Sequence, residues 1–298
     1  MSIRESRAER AMNHAFVVIL ILLSALMLFP FINLLAKSVS GEAAVLTGSV
    51  YLLPKDFQLG TYEYVVNQPQ FFNSFWNSLF ITVVGTALAM VVNCLTAYPL
   101  SKTWIVGRKG LILFFVFTML FSGGMVPSYL LMRTLNLINN IWVLILPGIL
   151  SVYNMILLKN FFEEIPESIE ESAQLDGARN LTILIRIVLP MSLPAIATIG
   201  LFYAVGFWNN YMSGIMYITR PQLKPLQQYL YEVVTEAQTV SEDAVAGYVN
   251  MDRMMNASLI TESIRAATIM LSSIPIMLVY PFLQKYFVAG LRVGSVKG

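Results

Sequence analysis

The sequence predicts an all-α polytopic membrane protein with six transmembrane helices, and three observations carry that reading. Hydrophobic residues make up 57% of the chain and charged residues 12%, with a mean hydropathy of +0.67, whereas a soluble domain carries about 25% charge. The shortage is patterned, because charge-free runs alternate with short charged islands. The runs also have the length of roughly 20 residues that a helix needs to cross a bilayer.

Taken in order, the spans are expected at about 12–36, 77–100, 110–132, 138–160, 187–211 and 266–285, within one transmembrane domain covering 1–298. Arg10 and Lys37 bound the charge-free run of the first span. Its basic head resembles that of a secretory signal, but the apolar stretch exceeds the usual length of about 7–15 residues and no small-x-small site follows, so an uncleaved helix is expected. The second span opens at Asn77 and closes before Lys102; the third runs from Gly110 to Met132, with Gly123-Gly124 and Pro127 as breaks. The fourth begins after Arg133, and Lys159 marks its end. Pro190, Pro194, Pro275 and Pro281 are expected to kink the fifth and sixth, as packing irregularities rather than hinges. One Lys or Arg at the centre of a span would cost about 2.5–3.5 kcal/mol, and none is found there.

Lysine and arginine set the orientation. With the N-terminus inside, Arg4, Arg7, Arg10, Lys102, Arg108, Lys109, Lys159, Arg179, Arg186, Lys285, Arg292 and Lys297 are cytoplasmic. Lys37, Lys55, Arg133, Arg220, Lys224, Arg253 and Arg265 are then outside, in and around outer segments 37–73 and 220–265. The second of these places Leu226, Tyr229, Leu230, Val233 and Val234 at helical spacing, which predicts an amphipathic helix packed on the bundle.

Several chemistries are excluded. A net charge of +2, with no basic tail, gives no attraction to nucleic acid. Cys94 and His14 are the single cysteine and histidine, so neither a disulfide framework, a multi-cysteine metal site nor a catalytic triad is expected. There is no Gly-x-x-x-x-Gly-Lys-Ser/Thr loop to cradle a nucleotide. No acid or base sits in mid-span, which argues against a proton- or sodium-coupled carrier.

One cytoplasmic loop, 163–186, is unlike the rest. Glu163, Glu164, Glu167, Glu170, Glu171 and Asp176 lie within 14 residues of a chain otherwise poor in acids. Pro166 suits a first helical turn, early acids complement the helix dipole, and Gly177 suits the left-handed position beyond a helix end. A short helix over 167–176 is therefore predicted, then a sharp turn into the fifth span. Glu163 and Glu164 are read as merely solvating the loop.

The run Glu171-Ser172-Ala173, three residues, Gly177, nine residues, Ile187-x-Leu189-Pro190 resembles the cytoplasmic Glu-Ala-Ala signature of ABC importer permeases, with Ser172 in place of the first Ala. The fuller run to Asp176-Gly177-Ala178, together with Asn77-Ser78-Leu79, Ala97-Tyr98-Pro99-Leu100-Ser101 and Tyr286-Phe287-Val288-Ala289-Gly290-Leu291, is similar to the carbohydrate-uptake, maltose-type group. The resemblance implies a type I ABC importer permease fold and a subunit that is not itself an enzyme. It implies a second homologous permease subunit, two ATPase subunits carrying ATP and Mg²⁺, and an extracytoplasmic solute-binding protein. Glu171, Ser172, Ala173, Asp176, Gly177, Leu189 and Pro190 would dock the ATPase, with Glu171 against a basic residue. The cargo would be an oligosaccharide, neutral or acidic, the acidic form being a plant or algal fragment. A peptide or amino-acid permease of the same class shares the loop and differs only in the cavity.

For the path itself, Asn93, Asn154, Trp208, Asn209, Asn210 and Tyr211 are polar or aromatic groups within or at the end of spans. Amides with aromatic faces suit sugars, so this set is expected to line an outer cavity. An alternative stands beside it, in which Asn209 and Asn210 make interhelical hydrogen bonds and Trp208 anchors at the interface.

Overall fold

The computed structural model describes residues 7–245 and 262–294. Arg4, Arg253, Lys297 and the outer-segment residues 246–261 lie outside the described residues. No strand occurs among the described residues, and they fall into two compact units.

One unit, residues 1–68 and 232–273, begins with α1 (Arg7–Ser38), followed by α2 (Glu42–Leu46) and α3 (Gly60–Val66). The apolar side chains of α1 are exposed over Phe16–Leu23 and again at Leu26–Phe29. Water would make that surface an aggregation hazard, whereas lipid matches it. The segment after α1 folds back on the end of that helix. Asn33 donates to the Tyr51 carbonyl at 2.6 Å, Ser38 and Tyr62 share a hydrogen bond of 2.8 Å, and the Lys55 amide donates to Ser40 Oγ at 3.0 Å. Ala36, Ala44, Val45 and Val50 form the small core beneath.

The other unit, residues 69–231 and 274–298, is organised on α4 (Pro69–Ser101), which begins at Pro69 rather than at the expected Asn77. Then come α5 (Arg108–Leu120), α6 (Met125–Thr134), α7 (Val152–Glu163), α8 (Glu167–Leu175), α9 (Asn180–Ile183), α10 (Leu189–Met191), α11 (Leu193–Trp208) and α12 (Met212–Tyr217). Two further helices are α13 (Leu226–Val245) and α14 (Glu262–Gly294). Ile81, Met155, Leu158, Phe162, Ile183, Val188 and Ile199 are the fully buried centre of the core made by α4, α7, α9 and α11. Small residues allow close approach, as packing without a hydrophobic driving force requires. A Cβ on Gly85 would stand 3.0 Å from the Phe207 ring, and one on Gly148 would stand 3.1 Å from it, so Phe207 is wedged between two glycines.

Three of the expected spans are not straight. The third is α5 and α6, bent by 107°, with Gly124 at φ +87° in the break. The fourth starts as tight 3₁₀ turns over Ile141–Leu144 and Leu146–Gly148, the second containing Pro147, and bends 46° into α7. The fifth passes through a π-turn at Leu184–Val188 and bends 88° at Ser192. Pro190 explains the π-turn: it has no amide to donate, and its ring crowds the carbonyl four residues back. By contrast α14 continues through Pro275 and Pro281. Three described helices are long and apolar enough to span a bilayer, or up to six if each bent pair is one span.

The amphipathic helix expected after Arg220 is present as α13. Leu226 is fully buried, its amide donates to Ser78 Oγ on α4 at 2.7 Å, and Tyr229 meets the Phe71 ring edge-on. That is the packing role expected of it.

Candidate functional site

The 163–186 loop is built around α8, which occupies Glu167–Leu175 with Asp176 as its cap, as predicted. Its end follows from Gly177 at φ +85°, a conformation that glycine reaches without a Cβ penalty. That turn lets the Ala178 amide donate to the Ala173 carbonyl and the Gly177 amide to the Gln174 carbonyl, both at 2.9 Å. Two carbonyls that the helix end would leave unpaired are thereby satisfied.

The two faces of α8 differ. Glu171, Ser172, Asp176 and Gly177 are exposed, and Leu175 is 89% exposed beside them. Ala173 is half-buried against the core. Further along, Leu189 is half-buried against the core while Pro190 is exposed.

The inner face carries a residue that the sequence does not single out. Glu170 is 5% exposed and accepts from Lys102 Nζ at 2.5 Å and from the Tyr98 hydroxyl at 3.1 Å. Lys102 Nζ also lies 4.8 Å from the Tyr98 ring centroid, within cation–π range. The available signal is the spacing of Tyr98 and Lys102, one turn apart at the end of α4; nothing local links them to Glu170, 68 residues beyond Lys102.

Glu163 corrects an expectation. It is not simply solvated: it pairs with Arg108 and with Lys159, the latter at 2.8 Å. Arg108 Nε also donates to the Leu100 carbonyl at 2.7 Å. Lys159 is only 8% exposed, and burial of that kind requires a paired charge.

The candidate path residues are dispersed. Asn93 is fully buried; its amide nitrogen contacts the Ala89 carbonyl, the Ile149 carbonyl and the Tyr203 hydroxyl at 2.8, 3.1 and 2.6 Å. The same hydroxyl accepts from the Ser151 amide at 2.8 Å. Asn93 is thus a strut joining α4, α11 and the start of α7. Asn154 is buried in the first turn of α7, where the Ser151 hydroxyl caps its amide. Trp208, the last residue of α11, is 4% exposed and meets Phe75 edge-on. It lines an apolar hollow of about 210 Å³ with Leu79, Thr82, Leu201, Val205 and Pro275. Among the described residues, neither Trp208 Nε1 nor Thr82 Oγ1 finds a hydrogen-bond partner. Asn209 caps α11 and is exposed, Asn210 accepts from the Ser213 amide at 3.2 Å, and Tyr211 stacks on Tyr231.

A neighbouring contact was not anticipated. Asn139 Oδ1 accepts from the Thr219 amide at 2.7 Å and the Arg220 amide at 3.1 Å, the Asn139 amide donates to the Tyr217 carbonyl at 2.9 Å, and Tyr129 stacks on Tyr217. The segments carrying Arg133, Arg220 and Lys224 are clasped together, and no Asp or Glu lies in 121–151 or 209–231.

Three long apolar helices and three bent apolar pairs, with the short acidic helix α8 between two of those pairs, mark an integral membrane protein. The chain belongs to the binding-protein-dependent transport system inner membrane components, whose family model matches residues 70–293. It is 40% identical over 297 residues to the protein LplC of Bacillus subtilis, covering all of this chain and 98% of that protein. It is 42% identical over 280 residues to the polygalacturonan/rhamnogalacturonan transport system permease protein YtcP of the same organism, covering 94% of this chain and 96% of that one. A chain from the crystal structure of a bacterial ABC transporter involved in import of the acidic polysaccharide alginate superposes with a TM-score of 0.85 at 34% identity, covering 96% of this chain and all of that one.

Proposed function

We propose that this chain is a permease subunit of an ATP-driven ABC importer that carries an oligosaccharide across the bacterial cytoplasmic membrane. The observation that carries the reading is the two-faced α8, open along Glu171, Leu175 and Asp176 and locked on the other side through Glu170. In this reading each bent pair is one span, giving six, and both termini are cytoplasmic. The exposed face of α8, with Ser172, Ala173 and Gly177, enters a cleft on an ATPase subunit, and Leu189-Pro190 carries the movement into the fifth span. A second homologous permease completes the path, two ATPase subunits bind ATP and Mg²⁺, and a solute-binding protein delivers cargo outside.

The cargo reading is an acidic oligosaccharide. Its supports are the polygalacturonan and alginate named for similar proteins and the acid-free stretches 121–151 and 209–231, which bear Arg133, Arg220 and Lys224. A cleft with one sign of charge concentrates ligands of the other sign. Trp208, Asn209, Asn210 and Tyr211 stand at the outer end of the fifth span as path residues, and Asn93 and Asn154 support the wall behind them.

The test is uptake in proteoliposomes holding the full transporter, with its binding protein loaded with oligogalacturonate, alginate oligosaccharide or neutral maltooligosaccharide. The expected result is ATP-dependent uptake and stimulated hydrolysis with an acidic sugar. Uptake confined to the neutral sugar contradicts the cargo reading, and no stimulation by any loaded binding protein contradicts the importer reading.

A further inference from the structure

The buried face of α8 has no part in docking, yet it holds the most deeply buried carboxylate of the loop. Both oxygens of Glu170 are occupied, one by Lys102 Nζ at 2.5 Å and the other by the Tyr98 hydroxyl at 3.1 Å. Lys102 and Glu170 are 8% and 5% exposed. Burying two charges costs about as much as their attraction returns, so such a pair is a poor device for stability alone. It is, however, short, directional and stiff.

Two routes lead from α8 to the spans. The covalent route passes through the left-handed turn at Gly177, the π-turn at Leu184–Val188 and the 88° break at Ser192 before reaching α11. Each is a point where the chain departs from continuous α-helix. The other route passes from Glu170 directly to the end of α4, a single unbroken helix over Pro69–Ser101. Arg108 reinforces that end by bonding to both the Leu100 carbonyl and Glu163 on α7.

We propose that Glu170, Tyr98 and Lys102 are a non-covalent tie that transmits displacement of α8 to α4, making α4 the lever of the transport cycle. Glu170 and Lys102 are positioning residues in this scheme, and the proposal rests on the docking role given to the outer face of α8. The residues that meet the ATPase are then separate from those that pass its motion on.

The test uses the assembled transporter in proteoliposomes. Lys102→Met combined with Glu170→Gln removes both charges, so neither is left buried alone. The expected result is that ATPase subunits still co-purify in full, while uptake and binding-protein-stimulated hydrolysis fall about tenfold, within the usual range of coupling between sites. Wild-type stimulation and uptake in that double variant overturn the tie. A second pair, Lys102→Cys with Glu170→Cys on a Cys94→Ser background, separates transmission from folding. A short bifunctional thiol reagent that joins the two cysteines should restore stimulated hydrolysis, and bridging that leaves the loss in place contradicts the proposal. Glu171→Lys is the docking control. Retention of ATPase subunits in that variant overturns the docking reading itself, whereas their loss alongside normal coupling in the Met/Gln variant overturns the tie alone.

Discussion

The two ends of the chain between α8 and α12 use their polar residues in opposite ways. At the α8 end, Glu171 and Asp176 are exposed on a helix whose inner carboxylate is fully engaged, so polar groups are presented on a fixed mount. At the Trp208 end most polar groups serve the fold. Asn210 caps the next turn, Tyr211 stacks on Tyr231, and Trp208 is buried against Phe75. Deeper in the same unit, Asn93 ties three backbone and side-chain oxygens together. The motif of fixed spacing thus coincides with an exposed helix face. Scattered polar residues in a membrane chain are first claimed by interhelical bonding.

Substitutions at the two ends should separate these roles. The largest effect is expected of Glu171→Lys, which reverses the charge on the open face: uptake in whole cells should fall by more than about tenfold, as losing a charge-assisted contact at an interface costs about 2–5 kcal/mol. Tyr203→Phe comes next, on the structural side. It strips the acceptor from the buried Ser151 amide and from Asn93, so stability should drop by about 1–3 kcal/mol, read as a lower unfolding midpoint of the detergent-purified complex. An unchanged midpoint would mean that the Asn93 cluster is not a strut. Gly177→Val should cost about 1–2 kcal/mol because a branched side chain must adopt φ +85°, and the loss should register as weaker retention of the ATPase subunits. The smallest effect on folding is expected of Asn209→Ala, since its side chain is exposed; stability should stay within about 0.5 kcal/mol while uptake declines. Unaltered uptake would remove Asn209 from the path.

Much of the knob is legible in the amino-acid sequence. Pro166, the early acids and Gly177 fix where α8 begins and ends, because capping is local chemistry. The bends are only partly legible. Gly123-Gly124 announces the break between α5 and α6, but the 88° turn at Ser192 lies between Pro190 and Pro194, and neither proline's local signal sets its angle. Pro275 and Pro281 carry the same local signal, yet α14 runs through them, since packing decides whether a proline breaks a membrane helix. Glu170 is hidden for another reason. Its partners lie 68 and 72 residues away, and within the loop it looks like any of its acidic neighbours. Glu163 misleads for the same cause, since Arg108 lies 55 residues away.

If the open face of α8 receives an ATPase subunit, then Leu175, 89% exposed at its centre, lies within reach of that subunit. Leu175→Cys on a Cys94→Ser background, treated with a short thiol- and amine-reactive reagent in the assembled transporter, should give a covalent adduct with the ATPase subunit. An adduct with the second permease, or no protein adduct while uptake persists, would contradict docking at this face.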